Sequence, residues 1–300
     1  LNLFFFSFSI SFPSLLLFFN QNLSLENLIS ISILIKFISV LIMFLIVKNN
    51  NLFRNSKNKI LWNNLKKNSR WITLNNILIQ FYELFDKFLI KVFIGPIAVS
   101  IYSIPQQLTG KLSIISKSFS AYLLPNLSKK KIDNESFNFS LEVFIKFVPI
   151  FIFLLFPLYP KILNLWLGNS YEEHIYYLTK VFSLVAIFAC SSHLLITKFE
   201  ASKTLNRNLK IEFLFFPFFL IALYLFTKNN YSLLMISLLV LFKEFILFIL
   251  RLNLLKSEIS YVKNYFLYSI YFLIILFFSF WSNEFYFLSL VFLILNSFRK

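Results

Sequence analysis

Apolar runs of about twenty residues recur along the chain, and short polar segments separate them. An α-helix needs about 20 mostly apolar residues to cross the hydrocarbon core of a bilayer. The pattern therefore predicts ten membrane-spanning helices, at roughly residues 1–19, 27–47, 71–94, 98–124, 141–166, 175–198, 211–227, 231–252, 263–281 and 284–298.

The polar segments between these helices alternate in charge. Basic residues concentrate in every second segment, namely 48–70, 129–131, 203–210, 256–263 and 299–300. The intervening segments contain a single lysine, Lys228. Because basic loops stay on the cytoplasmic side, this alternation predicts a multi-pass protein of the cytoplasmic membrane with its C-terminus in the cytoplasm.

Composition agrees with an all-α polytopic membrane protein, since 58% of the residues are hydrophobic and the mean hydropathy is +0.75. The net charge of +16 resides largely in the cytoplasmic loops. Basic residues scattered over separate loops, without a recognition fold, argue against nucleic-acid binding. Anionic membrane lipids are the expected contacts of these loops.

Few residue types that support catalysis are present. The chain has one Cys, two His nineteen residues apart and three Gly, which excludes an internal disulfide, a thiolate cluster, a His metal pair and a phosphate-binding glycine loop. We expect no metal, no cofactor and no catalytic residue. The outer loops are short, so any activity should reside between the helices.

The stretch FYELFDKFLIKVFIG, from the predicted helix at 71–94, carries four charged residues. Glu83, Lys87 and Lys91 follow each other at four-residue spacing and share one helical stripe, which Asp86 borders. The order of Glu83 and Lys87 favours an ion pair within the helix. Because isolated charges are expensive in lipid, we expect this stripe to face a water-filled cavity.

The next predicted helix is also interrupted by polar residues. Gln107 and Lys111 lie four residues apart, and Gln106 adjoins them. Pro105 removes one backbone hydrogen bond and predicts a kink. Gly110 is expected to allow the close approach of another backbone.

Other lysines admit a simpler interpretation. Lys91 and Lys117 lie where a long side chain can reach the lipid headgroups, which favours snorkelling. Lys36 lies in mid-span. Lys243 adjoins Glu244, and neighbouring residues of a helix point in different directions.

Residues 86–129, DKFLIKVFIGPIAVSIYSIPQQLTGKLSIISKSFSAYLLPNLSK, resemble the polysaccharide-transport family, the oligosaccharide and O-antigen flippases of the MATE-like superfamily. The similar segments ILNLWLGNSYEEH (162–174) and ASKTLNRNLKI (201–211) follow in the family's order. The first resemblance rests on the following positions: Asp86, Lys87, Phe88, Leu89, Ile90, Gly95, Val99, Tyr102, Ser103, Pro125, Leu127 and Ser128.

The resemblance implies two six-helix lobes around a central cavity, followed by two extra helices. Residues 1–47 would be the last two helices of the first lobe and 48–70 a basic cytoplasmic linker. The second lobe would be 71–252 and the extra pair 263–298. The first four helices are then missing, and because residue 1 is Leu we expect the sequence to begin within a longer protein.

The resemblance also implies a function: translocation of a polyprenyl-pyrophosphate-linked oligosaccharide across a bacterial inner membrane for surface polysaccharide synthesis, without covalent chemistry. The expected partners are this lipid-linked substrate and the polysaccharide polymerase or export machinery. Lys87 and Lys111 are the preferred cations for the pyrophosphate, and Lys91 and Lys36 are secondary candidates.

The remaining candidates have other roles. Gln106 and Gln107 would bind sugar hydroxyls, while Glu83 and Asp86 would orient the lysines or couple transport to an ion. Two alternatives stay open. A MATE-type drug or cation antiporter would use the acids, but the intramembrane lysines argue against it. An O-antigen polymerase or glycosyltransferase would also be polytopic, but no large polar loop is present.

Overall fold

The computed structural model describes residues 59–129, 134–168 and 173–256, together with scattered helical positions between 30 and 45; side chains within 59–68 are outside the description. The chain divides into two compact units, Leu1–Lys67 and Asn68–Lys300. The described residues are helical and contain no strand, which confirms the prediction of an all-α protein.

Eight α-helices follow one another in the described segments, and all but the start of the first belong to the second unit. They are α1 (Lys59–Phe93), α2 (Pro96–Gly110), α3 (Ser113–Ser128), α4 (Asn134–Leu155), α5 (Tyr159–Leu167), α6 (Glu173–Ala201), α7 (Leu205–Lys228) and α8 (Leu233–Leu254). A 3-10 turn, Phe156–Leu158, joins α4 to α5.

The distribution of apolar and polar residues is that of a membrane protein. Four segments are long and apolar enough to span a bilayer: 134–167, 173–201, 205–228 and 233–254. Large apolar side chains face outward, as Leu214 at 70% exposure and Phe218 at 66% illustrate. Polar side chains such as Asp86 and Arg251 are buried instead. Exposed apolar surface of this extent requires lipid or another apolar partner.

The other predicted spans have different outcomes. Those at 1–19, 263–281 and 284–298 lie outside the described residues, and 27–47 is described only at scattered positions. The spans at 71–94 and 98–124 are helical in α1 and in α2 with α3, but these helices carry several charged residues. The total of ten spans stays a prediction.

Three helix boundaries differ from the predicted ones. Helix α1 begins at Lys59 rather than near 71, inside the basic segment, because an α-helix can extend beyond the apolar run that spans lipid. The predicted helix 98–124 is interrupted at 111–112, although Pro105 is accommodated within α2. Pro157 and Pro160 accompany the 3-10 turn between α4 and α5.

Helix α6 is the central element of the second unit. It packs against α2, α3, α4, α5, α7 and α8. Its side chains are buried on all sides, and Phe182 meets Tyr102 of α2 edge to face at a centroid distance of 5.0 Å. A helix that is buried all round belongs in the interior of a bundle. A cavity between the helices that surround α6 would therefore be lined on one side by α6.

Gly95 makes the turn between α1 and α2, and its φ of 124° with ψ of 169° is accessible essentially to glycine alone. We expect Gly95→Ala to destabilise the chain by about 1–3 kcal/mol because a Cβ is strained there. Gly110→Ala is the matched control, because Gly110 has no positive φ and an added Cβ meets no described atom within 4 Å at either glycine. Thermal unfolding in detergent measures both variants. Equal melting temperatures would contradict the strain at Gly95.

Candidate functional site

A cavity of about 340 Å³ lies within the second unit, between α1, α2, α3, α6, α7 and α8. Its lining residues Ala186, Phe219 and Lys243 lie near the midpoints of α6, α7 and α8. If these helices span a bilayer, the cavity is at mid-depth. Six charged side chains line it: Glu83, Asp86, Lys87, Lys117, Lys243 and Glu244.

Asp86 is the centre of a hydrogen-bonded group on one side of the cavity. It is 2% exposed, and its Oδ2 accepts hydrogen bonds from the Tyr102 hydroxyl at 2.9 Å and from Gln106 Nε2 at 3.4 Å. Its Oδ1 accepts the Lys87 backbone N–H at 2.6 Å. A buried carboxylate needs such donors because it has left water. Asp86 therefore ties α1 to α2.

Lys243 and Glu244 form an ion pair on the α8 side, with Nζ and Oε1 2.8 Å apart. The expectation that these neighbours point apart is wrong, because the long side chains bend toward each other. The Lys243 Nζ also lies 4.3 Å from the centroid of the Tyr82 ring and 5.2 Å from that of Phe219. Cation–π contacts of this kind help to hold a desolvated ammonium.

The charges of the cavity are balanced, with three lysines against three acids. Among the ion pairs of the described residues, none joins Glu83 to Lys87, so the expected pair within α1 is not formed. Nor does Lys117 pair with an acid in the part of the chain that the structure describes. Lys87 and Lys117 are thus the lysines of this cavity that pair with no acid among the described residues, and they are placed to meet an anionic ligand.

An uncharged polar stripe runs along α2 and the start of α3. Gln106, Gly110 and Ser113 recur at helical spacing and line the cavity together with Gln107. Gln106 Oε1 is buried and has no hydrogen-bond partner among the described residues. A Cβ on Gly110 would meet no described atom within 4 Å, so no described backbone makes the close approach expected there.

The predicted site residues fall into three groups. Lys91 and Lys111 are exposed and lie outside the cavity lining, and Lys111 belongs to the turn between α2 and α3. Lys36 lies outside the described residues. Five of the predicted residues line the cavity: Glu83, Asp86, Lys87, Gln106 and Gln107. Their functional roles stay predictions.

Sequence reasoning did not assign three of the charged cavity residues to the site. Lys117 was predicted to snorkel, yet it lines the cavity one turn beyond Ser113. Lys243 and Glu244 carried a usable signal, because they interrupt a helix that is otherwise apolar over its first half. A charge in the middle of a spanning helix is a site candidate by default.

A second buried polar cluster joins α1, α7 and α8 at one end of the bundle. Arg251 Nη2 lies 2.6 Å from Glu212 Oε1, and Arg251 Nε donates to Asn208 Oδ1 at 2.9 Å. Asn208 Nδ2 donates to Glu212 Oε1 at 2.9 Å and lies 3.3 Å from Asn75 Oδ1. These four residues, at most 4% exposed, are named the inner cluster. The Tyr82 hydroxyl connects it to the cavity, donating to the Glu212 carbonyl oxygen at 3.3 Å.

Helices α1, α2 and α3, which build much of this cavity, lie in a segment that matches a known protein family. The sequence model of a family described as polysaccharide biosynthesis protein matches residues 4–176, more than half of the chain and all of α1 to α5. No curated protein and no solved structure matches the chain. With a match of this extent, the chain belongs to the polysaccharide biosynthesis protein family, as a membrane protein with a role in that process.

Proposed function

We propose that the chain is a flippase, which moves a polyprenyl-pyrophosphate-linked oligosaccharide from the inner to the outer leaflet of a bacterial cytoplasmic membrane. The observation that carries the proposal is a polar, charged cavity among apolar helices in a polysaccharide biosynthesis protein. A pyrophosphate and its sugars are costly to place in hydrocarbon, so their passage requires polar contacts at membrane depth. The proposed activity is transport, without covalent chemistry.

The lining residues fit the parts of such a substrate. Lys87 and Lys117 have no acidic partner among the described residues and would contact the pyrophosphate, and they replace the pair of Lys87 and Lys111 as the preferred cations. Gln106 and Gln107 supply amide groups for sugar hydroxyls. Glu83 is the better candidate for ion coupling, because Asp86 is already engaged by Tyr102 and Lys87.

Localisation and organisation extend this proposal. The alternation of basic loops supports a C-terminus in the cytoplasm of a bacterial cell. Residues 71–252 would be a six-helix lobe that contains the cavity, with 1–47 from the preceding lobe, 48–70 the linker and 263–298 an added pair. Polysaccharide polymerase or export machinery would receive the translocated lipid.

One observation favours a second candidate function. Three of the six charged groups at the cavity are carboxylates, and carboxylates suit a cationic substrate. A MATE-type cation antiporter would use them to bind a drug or dye in exchange for an ion. The two candidates differ in the charge of the transported molecule, which a transport assay can separate.

Proteoliposomes provide the test. The purified chain is reconstituted with a short polyprenyl diphosphate that carries a fluorescently labelled sugar, and dithionite is added outside. Protein-free liposomes lose only the fluorescence of the outer leaflet. With a flippase present, we expect dithionite to bleach nearly all of it, because labelled lipid from the inner leaflet becomes accessible.

A plateau equal to that of protein-free liposomes, with the chain inserted, would rule out the flippase. Uptake of a cationic dye driven by a proton gradient in the same liposomes would then support the antiporter.

A further inference from the structure

Gly110 leaves an opening in the cavity wall that no atom of the described residues fills. A Cβ built on this residue meets no heavy atom of the described residues within 4 Å, and its backbone is compatible with ordinary amino acids. Gly110 is exposed and lines the cavity at the end of α2. Neither helix packing nor backbone conformation therefore requires a glycine here. What glycine provides is a flat surface within a ligand-sized space.

Gln106 supplies a second, independent observation. It lies four residues before Gly110 and therefore on the same face of α2. Its Nε2 is directed to Asp86, which fixes the amide, while its buried Oε1 has no partner among the described residues. A buried acceptor without a donor costs about 1–3 kcal/mol, so this atom is suited to a ligand hydroxyl or amide N–H.

The surroundings indicate which kind of ligand group fits. Gln107 and Ser113 add neutral hydrogen-bonding groups beside Gly110, and no charged residue lies between 106 and 110. Flat surfaces bordered by amides and hydroxyls suit a polyol ring rather than a phosphate, which prefers cations. Lys117, which makes no ion pair among the described residues, lies on α3 one turn beyond Ser113.

We propose that Gly110 is the floor of a subsite for one uncharged saccharide ring, with Gln106 Oε1 accepting a hydrogen bond from it. This inference rests on the proposed function and adds that the space at Gly110 selects the substrate by size. The ring that occupies this subsite is the sugar nearest the diphosphate, which Lys117 and Lys87 contact. The cavity volume of about 340 Å³ lies at the lower end of the range of small-molecule sites, about 300–1,000 Å³, so it admits only part of an oligosaccharide.

Binding measurements with two lipids test the subsite. One probe is a short polyprenyl diphosphate without sugar, and the other carries one N-acetylglucosamine on the same diphosphate. We expect the full chain to bind the sugar-bearing lipid about tenfold more tightly, the gain from one or two hydrogen bonds. Gly110→Leu should remove this preference, so that the two lipids bind with equal affinity. Gly110→Ala should reduce the preference only in part.

The matched control is Ser100→Leu, a similar gain in size on an exposed position of α2 outside the cavity lining. It should keep the tenfold preference. The inference is overturned if Gly110→Leu keeps the preference, if Ser100→Leu loses it, or if the unaltered chain binds both lipids equally. Equal binding leaves the proposed function intact, whereas binding of neither lipid removes the proposed function together with the subsite.

Discussion

Replacing Lys87 with alanine is expected to weaken the binding of a polyprenyl diphosphate by about thirtyfold or more. Lys87 is half-buried at the cavity and makes no ion pair among the described residues, so its ammonium is available to the substrate. Loss of one partner from a desolvated charge pair costs about 2–5 kcal/mol, and 1.4 kcal/mol corresponds to a factor of ten. Translocation in proteoliposomes should fall in proportion, because the lipid no longer enters the cavity.

Lys91→Ala is the control for this prediction. It removes the same side chain from the same helix, one turn further on, at an exposed position outside the cavity lining. Binding and translocation close to those of the unaltered chain are expected. Equal losses for the two variants would instead indicate a general effect of helix charge, and the assignment of Lys87 to the substrate would be wrong.

Part of this site was predictable because charge is conspicuous in an apolar helix. Asp86 and Lys87 interrupt a hydrophobic run, and their spacing from Glu83 places them on adjoining faces of one helix. Gln106 stands out for the same reason. Each inference needed only the residues of one helix and the cost of polar groups in lipid.

Contacts between helices were not predictable from this pattern. Tyr102 donates to Asp86 across a turn, and the helical period does not reveal which side chain of the next helix it meets. Gly110 was expected to face another backbone, but it lines the cavity, and no described backbone lies close to it. The interruption at 111–112 lies beyond Pro105, the residue whose chemistry predicted a kink.

The contacts of the inner cluster were likewise not predictable, and they join residues that are further apart in the sequence. Asn75 and Asn208 are 133 residues apart, and each alone is an ordinary amide near the end of a predicted helix. Only packing of α1, α7 and α8 brings them beside Glu212 and Arg251. A buried polar network stabilises a fold only when its members are hydrogen-bonded to one another. No single residue in the sequence therefore indicates that such a network exists.

Removing Arg251 alone is expected to destabilise the chain by about 3–5 kcal/mol. The Arg251→Met change leaves the Glu212 carboxylate, which is 2% exposed, without its cation. It also removes the hydrogen bond that Arg251 Nε donates to Asn208 Oδ1. An uncompensated buried charge of this kind is among the most destabilising single changes. Glu212→Leu should have a similar cost, because it strands the guanidinium of Arg251.

The double variant Arg251→Met, Glu212→Leu decides whether these costs arise from one interaction. Apolar replacement of a whole buried ion pair is often close to neutral, so we expect most of the stability to return. Recovery should stop short by about 1–3 kcal/mol, since among the described residues Asn208 keeps only Asn75 as a partner. Unfolding of the unaltered chain, the two single variants and the double variant in bicelles gives the coupling energy.

The partly exposed pair of Glu142 and Lys146 serves as the control, for which Glu142→Ala should change the free energy of unfolding by about 0.5 kcal/mol. Additive losses at Glu212 and Arg251 would show that the two side chains stabilise the bundle independently, and the inner cluster would then not be a unit.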